Sequence, residues 1–227
     1  MRVLLESLSP AEVELAGWGE VTALHVAVMR GELEVVVLLV EAGASTTAPD
    51  LVQFSALHYA AWWGRLEVAE YLLGREGGTS LLSCLSCVGD TPLHLAVWRG
   101  HLTMCGMFLS VAGEVNVQDG EHHSPVHVAA YCGHQEILSL LTQPGLGPDL
   151  QQVTIYQDTP LHLACYSGNT EAARTLLAAS PPDTAAMENV WSETALHAAC
   201  TSGKSKDLVN LILGERRISL RLRLTFC

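Results

Sequence analysis

Short helical patterns of apolar residues recur along the chain, and each is opened by the same four-residue motif. A second apolar stretch then follows, as in residues 35–39 and 172–177. The motif is Thr/Ser, Ala/Pro, Leu/Val, His. It occurs six times, with intervals of 33, 36, 33, 35 and 35 residues between its histidines: His25, His58, His94, His127, His162 and His197. A nearly constant interval of this length predicts stacked copies of one small unit.

The residues around this tetrad predict where each unit turns. Its Thr or Ser is a favoured N-cap, and Pro92, Pro125 and Pro160 suit the first helical position, where no N–H is needed. A glycine, which favours a left-handed helix end, follows every tetrad histidine by six residues: Gly31, Gly64, Gly100, Gly133, Gly168 and Gly203. Each unit is therefore predicted to be a helix, a tight turn, a second helix and a loop.

The tetrads are similar to the ankyrin repeat motif T-P-L-H-x-A. Residues 91–96 and 159–164 match it in full, and the similarity extends from Val21 to Gly214 over six units. The resemblance implies an all-α ankyrin repeat solenoid of helix-turn-helix units with connecting finger loops. It also implies a protein-protein interaction scaffold or adaptor that binds its partners through the concave face and the finger loops.

Part of the chain resembles a narrower family. Residues 158–170 and 188–209, with 116–128 upstream, are similar to the ankyrin region of the cardiac troponin I-interacting kinases. That likeness implies troponin I as a partner. It also offers a second function, the N-terminal regulatory fragment of a Ser/Thr protein kinase lacking the catalytic domain. The sequence has no Gly-rich loop followed by a strand lysine, no H-R-D and no D-F-G, so no enzymatic activity is expected from these residues.

The two ends of the chain depart from the repeat. Residues 1–20 are predicted to be a partial preceding repeat and linker, because Leu4 and Leu5 precede Leu38 and Leu39 by one repeat length. Residues 21–214 are predicted to hold the six repeats. Residues 215–227 alternate arginine with leucine and are predicted to be a basic tail outside the array.

Composition narrows the choice of partners and location. The 227 residues carry 24 acids against 12 bases, a formal net charge of −12, which argues against nucleic acid as a partner. No apolar run approaches the ~20 residues needed to cross a bilayer, so no membrane is expected. Seven cysteines without an export signal predict reduced thiols and a cytoplasmic, or alternatively nuclear, location. A monomer is expected.

The histidines and cysteines are expected to need no cofactor or metal. The six tetrad histidines are interpreted as structural, hydrogen bonding between neighbouring turns, because one repeated role explains all six. Cys84 and Cys87 have C-x-x-C spacing, but no second ligand pair accompanies them. Two cysteines in a loop are favoured over a zinc or redox site, which stays as the lesser alternative.

Aromatic residues supply the candidate contact surface. Four units place Trp or Tyr four residues after the tetrad histidine, and we predict an aromatic stripe there, extended by Trp63 and Arg99: Trp62, Trp98, Tyr131 and Tyr166. Partner binding and packing between repeats are both open for this stripe. The loops before the tetrads are a second candidate surface, with Phe54, His122, His123, Tyr156 and Trp191. Only one loop has a glycine at its tip, which predicts irregular tips.

Overall fold

The computed structural model describes residues 13–112, 114–203 and 205–214. Within these ranges the chain is helical and contains no strand. The chain divides into two compact units, Met1–Gly113 and Glu114–Cys227. The predicted basic tail and most of the predicted partial repeat lie outside the described residues, so those boundaries stay predictions.

The first unit contains three helix pairs. Its helices are α1 (Ala23–Arg30), α2 (Leu33–Glu41), α3 (Ala56–Trp63), α4 (Leu66–Leu73), α5 (Pro92–Arg99) and α6 (Leu102–Ala112). Short 3-10 helices occupy Trp18–Glu20 and Gly78–Ser83 in the connecting loops.

The second unit repeats the arrangement. Its helices are α7 (Pro125–Cys132), α8 (Gln135–Leu141), α9 (Pro160–Ser167), α10 (Thr170–Ala179), α11 (Ala195–Ser202) and α12 (206–214). Its loops contain 3-10 helices at Pro144–Leu146 and Thr184–Ala186.

Local hydrogen bonds explain why each first helix begins and ends where it does. In all six, the hydroxyl of the tetrad Thr or Ser and the ring of the tetrad histidine form a reciprocal capping box. All six glycines that end these helices are left-handed, with φ between 60° and 78°. The predicted helix starts and ends are thereby confirmed.

The core of each unit is built from aliphatic side chains and small residues. Leu57, Leu72 and Phe108 are fully buried in the first unit, and Leu138 and Leu161 in the second. An alanine two residues after each tetrad histidine is also buried, which allows neighbouring first helices to approach closely: Ala27, Ala60, Ala96, Ala129, Ala164 and Ala199.

Candidate functional site

The tetrad histidines use both ring nitrogens, Nδ1 within their own repeat and Nε2 toward the next one. In the first unit, Nδ1 of His58 accepts the backbone N–H of Ser55 at 3.1 Å, and Nε2 lies 3.1 Å from the carbonyl oxygen of Asp90 in the next finger loop. A backbone N–H can only donate, so Nδ1 is unprotonated and Nε2 carries the hydrogen. His25, His127 and His162 make the same pair of bonds within their units.

Burial keeps these rings neutral. Desolvation lowers the pKa of His25, His58 and His162, and it lowers the pKa of His127 to about 4. His197 is exposed, and its Nδ1 accepts the N–H of Thr194. This geometry is that of a structural hydrogen-bonding group.

A polar residue eight positions before the tetrad histidine holds five of the six finger loops, and the first loop has Gly17 at that position. In the second unit, Oδ1 of Asn189 accepts the backbone N–H of Trp191 and of Glu193, both at 3.0 Å. The same two bonds are made by Asp50, Ser86, Asp119 and Thr154. Sequence reasoning missed these anchors. Their signal was the fixed spacing of a Ser, Thr, Asn or Asp from the tetrad.

The finger tips are more regular than predicted. The tip residue is left-handed whether or not it is glycine, with φ of 63° at Gln53, 85° at Gly89 and 61° at Gln157. The prediction of irregular tips is wrong, because the anchor side chain and a turn hydrogen bond hold even non-glycine residues in this conformation. Glu20, His122 and Ser192 are the other left-handed tips.

Backbone hydrogen bonds connect successive fingers inside each unit. Leu51 N–H donates to the Gly19 carbonyl at 2.9 Å, and Cys87 N–H donates to the Val52 carbonyl at 2.9 Å. In the second unit, residues 155 and 190 donate in the same way to residues 121 and 156. The tips therefore have fixed relative positions within a unit.

Large apolar side chains are exposed at five finger tips. Trp18 is 98% exposed, Leu51 67%, Val88 60% and Trp191 59%. Tyr156, 45% exposed, stacks on Trp191 with ring centroids 5.6 Å apart. The predicted contact residues Tyr156, Trp191 and His122 are thus on the surface.

Two predicted finger residues instead contact side chains of their own repeat. The Phe54 ring is half-buried and stacks on His58 at 5.2 Å and edge-on against Tyr59 at 5.6 Å. His123 Nδ1 lies 3.2 Å from the Asp119 carboxylate. Burial raises the pKa of Asp119, but bonds from His123 outweigh it and hold that pKa below its usual value.

The aromatic residues of the first helices are neither core nor fully exposed. Trp98 is 47% exposed, Tyr131 49% and Trp63 46%, so packing alone does not account for them. Trp62 is half-buried, and the exposed Arg99 guanidinium covers its ring at 4.9 Å.

Tyr166 serves a structural role as well. Its hydroxyl donates to the Glu193 carboxylate at 2.6 Å and accepts from the Asn189 amide at 3.0 Å. Burial, followed by the bond to Glu193, raises the pKa of this phenol. Tyr166 therefore connects α9 to the last described finger, and its role in partner binding stays a prediction.

A second set of polar contacts across repeats lies at the helix-helix turns. Asn169 Nδ2 donates to the Tyr131 carbonyl at 2.8 Å, and Arg65 Nε donates to the Met29 carbonyl at 3.0 Å. Each donor directly follows the glycine of its own repeat. The spacing would have identified these residues, but their partners are 36–38 residues away in sequence.

The architecture above coincides with a known family over most of the chain. The family described as ankyrin repeats (3 copies) matches residues 2–82, 78–152 and 127–223. The chain belongs to the ankyrin repeat family. The predicted all-α ankyrin solenoid class is confirmed, and the family supports a protein-interaction role.

Individual relatives share ankyrin segments inside longer proteins. Human palmitoyltransferase ZDHHC13 is 34% identical over 91 residues, which are 40% of this chain and 14% of the relative. The zebrafish putative palmitoyltransferase ZDHHC13 is 30% identical over 120 residues, 53% of this chain and 18% of the relative. A Caenorhabditis elegans homolog of transient receptor potential channel A1 is 28% identical over 145 residues, 64% of this chain and 12% of the relative.

These matches restrict what can be transferred. The matched segments cover less than a fifth of each relative, and the relatives are named for different activities. The ankyrin repeats are common to all, whereas the resemblance to troponin I-interacting kinases rests on motifs alone.

The ankyrin repeats show no built metal or membrane feature where the structure describes them. No group of three or more His, Cys, Asp or Glu side chains suits a metal ion there. Cys84 is part-buried and Cys87 exposed, and both are free thiols. Burial raises the pKa of Cys84, which disfavours the thiolate needed for redox chemistry. None of the described helices is both long and apolar enough to span a bilayer.

Proposed function

We propose that this ankyrin repeat chain is a scaffold or adaptor that binds protein partners and performs no chemistry itself. Within each unit, the contact surface would combine the first-helix aromatic residues, on the concave face, with the finger tips. The observation that carries the proposal is the half-exposure of Trp98 and Tyr131 together with the apolar tips. Contiguous exposed apolar surface is rarely idle, and Trp and Tyr contribute much of the energy of interfaces.

Two roles divide the predicted contact residues. Trp63, Trp98, Tyr131 and the tip aromatics present apolar area to a partner, because their rings are substantially exposed. Trp62 and Tyr166 would have a structural role beneath that surface, because each already contacts a neighbouring side chain: Arg99 covers the Trp62 ring, and Glu193 accepts the Tyr166 hydroxyl. A preorganised surface of this kind reduces the entropy lost on binding.

The test compares two double variants of the full chain. The double variant Trp98→Ala with Tyr131→Ala is expected to lower the affinity for captured partners about tenfold or more. Each aromatic side chain is expected to contribute about 1–2 kcal/mol of binding free energy. The matched control, Val111→Ala with Leu213→Ala, removes exposed apolar groups from second helices and should change nothing. Binding is measured by quantitative affinity capture, and folding by circular dichroism melts.

Two results would contradict this proposal. Equal losses in both double variants would show that the first helices are not a special surface. Lost helicity in the aromatic variant would show that Trp98 and Tyr131 stabilise the fold rather than a complex.

The second proposal is that the chain is the N-terminal regulatory ankyrin region of a Ser/Thr kinase and that troponin I is a partner. Its support is the motif similarity of residues 158–170 and 188–209. Downstream reading of the gene tests it: an open frame encoding H-R-D and D-F-G supports the kinase, and its absence removes this proposal. A cytoplasmic or nuclear monomer is expected for either function.

A further inference from the structure

The stacked pair of Tyr156 and Trp191, hereafter the aromatic platform, is a prebuilt surface. The two rings are 20° from parallel, and both are roughly half exposed. Val190 N–H donates to the Tyr156 carbonyl at 3.0 Å, and Trp191 N–H donates to Asn189 Oδ1 at 3.0 Å. Backbone and side-chain bonds therefore hold the platform in place before any partner arrives.

The segment that contains the platform is strongly acidic. Residues 114–203 contain ten acids and a single base, Arg174, which lies 3.5 Å from Glu171 on the same helix. The Glu121 side chain, 65% exposed, is on the preceding finger tip, whose backbone carbonyl accepts the Ile155 N–H. Glu188 is exposed one residue before the anchor Asn189. A negative potential around an exposed aromatic face favours a cation.

The first unit shows how this chain covers an aromatic ring when it has an arginine nearby. Arg99 lies over Trp62 at 4.9 Å, and Arg75 lies over Tyr71 at 5.7 Å. Arg174 is the single Lys or Arg in residues 114–203, and it lies on α10 beside Glu171. A cation for the platform must come from outside that segment.

We propose that the aromatic platform binds an arginine side chain presented by an extended segment of a partner protein. This inference rests on the proposed scaffold function and names the chemistry of its partner. The guanidinium plane stacks on an indole face better than an ammonium does, so arginine is preferred to lysine. Exposed Ile155 and Val190 flank the pair and would contact aliphatic residues next to that arginine.

The experiment selects peptides with the full chain as bait. A displayed library of random peptides of about ten residues is expected to be enriched in arginine beside aliphatic residues. One selected peptide is then synthesised with arginine, lysine or citrulline at that position. Replacing arginine by neutral citrulline should weaken binding about tenfold or more, and lysine should bind with intermediate affinity.

Variants of the platform separate it from other exposed tips. Trp191→Ala should lower the affinity for the arginine peptide about tenfold. Trp18→Ala removes a more exposed tip tryptophan and should leave that affinity unchanged. Glu121→Gln should lower the affinity for the peptide less than Trp191→Ala does, and it should make that affinity less dependent on salt. Unchanged melting curves would show that Trp191→Ala acts on binding.

Several outcomes would overturn the inference. Equal affinity for arginine and citrulline peptides, or a selection without arginine, removes the proposed chemistry. Tighter peptide binding after Arg221→Gln with Arg223→Gln would identify the chain's own basic segment as the occupant. A dimer abolished by Trp191→Ala would identify a second copy. If the arginine assignment fails while Trp98→Ala with Tyr131→Ala still releases captured partners, the scaffold function stands without it.

Discussion

At the scale of single residues, the tetrad histidine combines two structural tasks that require a neutral ring. In His127, Nδ1 accepts the Ser124 N–H at 3.1 Å, and Nε2 reaches the Asp158 carbonyl at 3.1 Å. A proton on Nδ1 would remove the acceptor and charge a buried ring. The same side chain therefore caps its own helix and holds the next finger loop.

Acid is expected to destabilise the fold through these rings. The unfolded chain binds a proton at each histidine near pH 6.5, whereas folded His127 does so only near pH 4, so stability falls as pH decreases through that window. His127 alone would account for about 2–3 kcal/mol of lost unfolding free energy by pH 4. Urea denaturation at a series of pH values measures this.

A histidine outside the six tetrads provides the control for this pH effect. His122 is exposed at a finger tip, so the same measurement on His122→Gln separates the buried tetrad rings from histidines in general. Stability that stays flat between about pH 6.5 and pH 4 would mean that the folded state accepts these protons.

At the scale of elements, the finger loop is one conformation specified by different residues. Gln53, Gly89 and Gln157 all adopt positive φ, yet only glycine does so without a steric cost. The anchor eight residues before the histidine compensates for that cost by accepting two backbone N–H groups. Connections one repeat apart then align successive fingers within a unit.

Glycine at the tip is expected to stabilise the loops that lack it. Gln53→Gly and Gln157→Gly should each raise the unfolding free energy by about 0.5–1 kcal/mol, because relief of left-handed strain exceeds the added entropy of the unfolded chain. The reverse substitution, Gly89→Gln, should lower it by a similar amount. Urea midpoints measure all three, and a destabilising Gln53→Gly would show that the glutamine side chain itself supports the tip.

At the scale of the whole molecule, charge is divided unevenly along the chain. Residues 1–113 hold 12 acids and 5 bases, residues 114–203 hold 10 and 1, and residues 204–227 hold 2 and 6, which gives −7, −9 and +4 and a total of −12. Like charges in the middle segment repel one another in the folded state. The same excess would attract a basic partner.

Salt is therefore expected to stabilise the protein. Raising NaCl from about 20 mM to about 500 mM should increase the melting temperature by a few degrees, because the Debye length falls well below the spacing of surface charges. A variant with Glu136→Gln and Glu188→Gln, both exposed, should gain less. A melting temperature that falls with salt would mean that ion pairs contribute more than repulsion.

Much of the fold could be predicted because the residues that begin and end its helices are close together in sequence. The capping box joins residues three apart, and each helix-ending glycine follows six residues after the tetrad histidine. The candidate site was harder. Phe54 and Trp191 both read as finger aromatics, but Phe54 packs on His58 whereas Trp191 is exposed.

The sequence by itself determined the repeat, the helix boundaries and the family, since these depend on residue types at short fixed spacings. Only the tertiary structure decided which aromatic rings are covered, which finger residues form the platform, and that Arg99 shields Trp62. The physical reason is separation along the chain. Those contacts join residues about 35 apart, so they exist only when one repeat packs on the next.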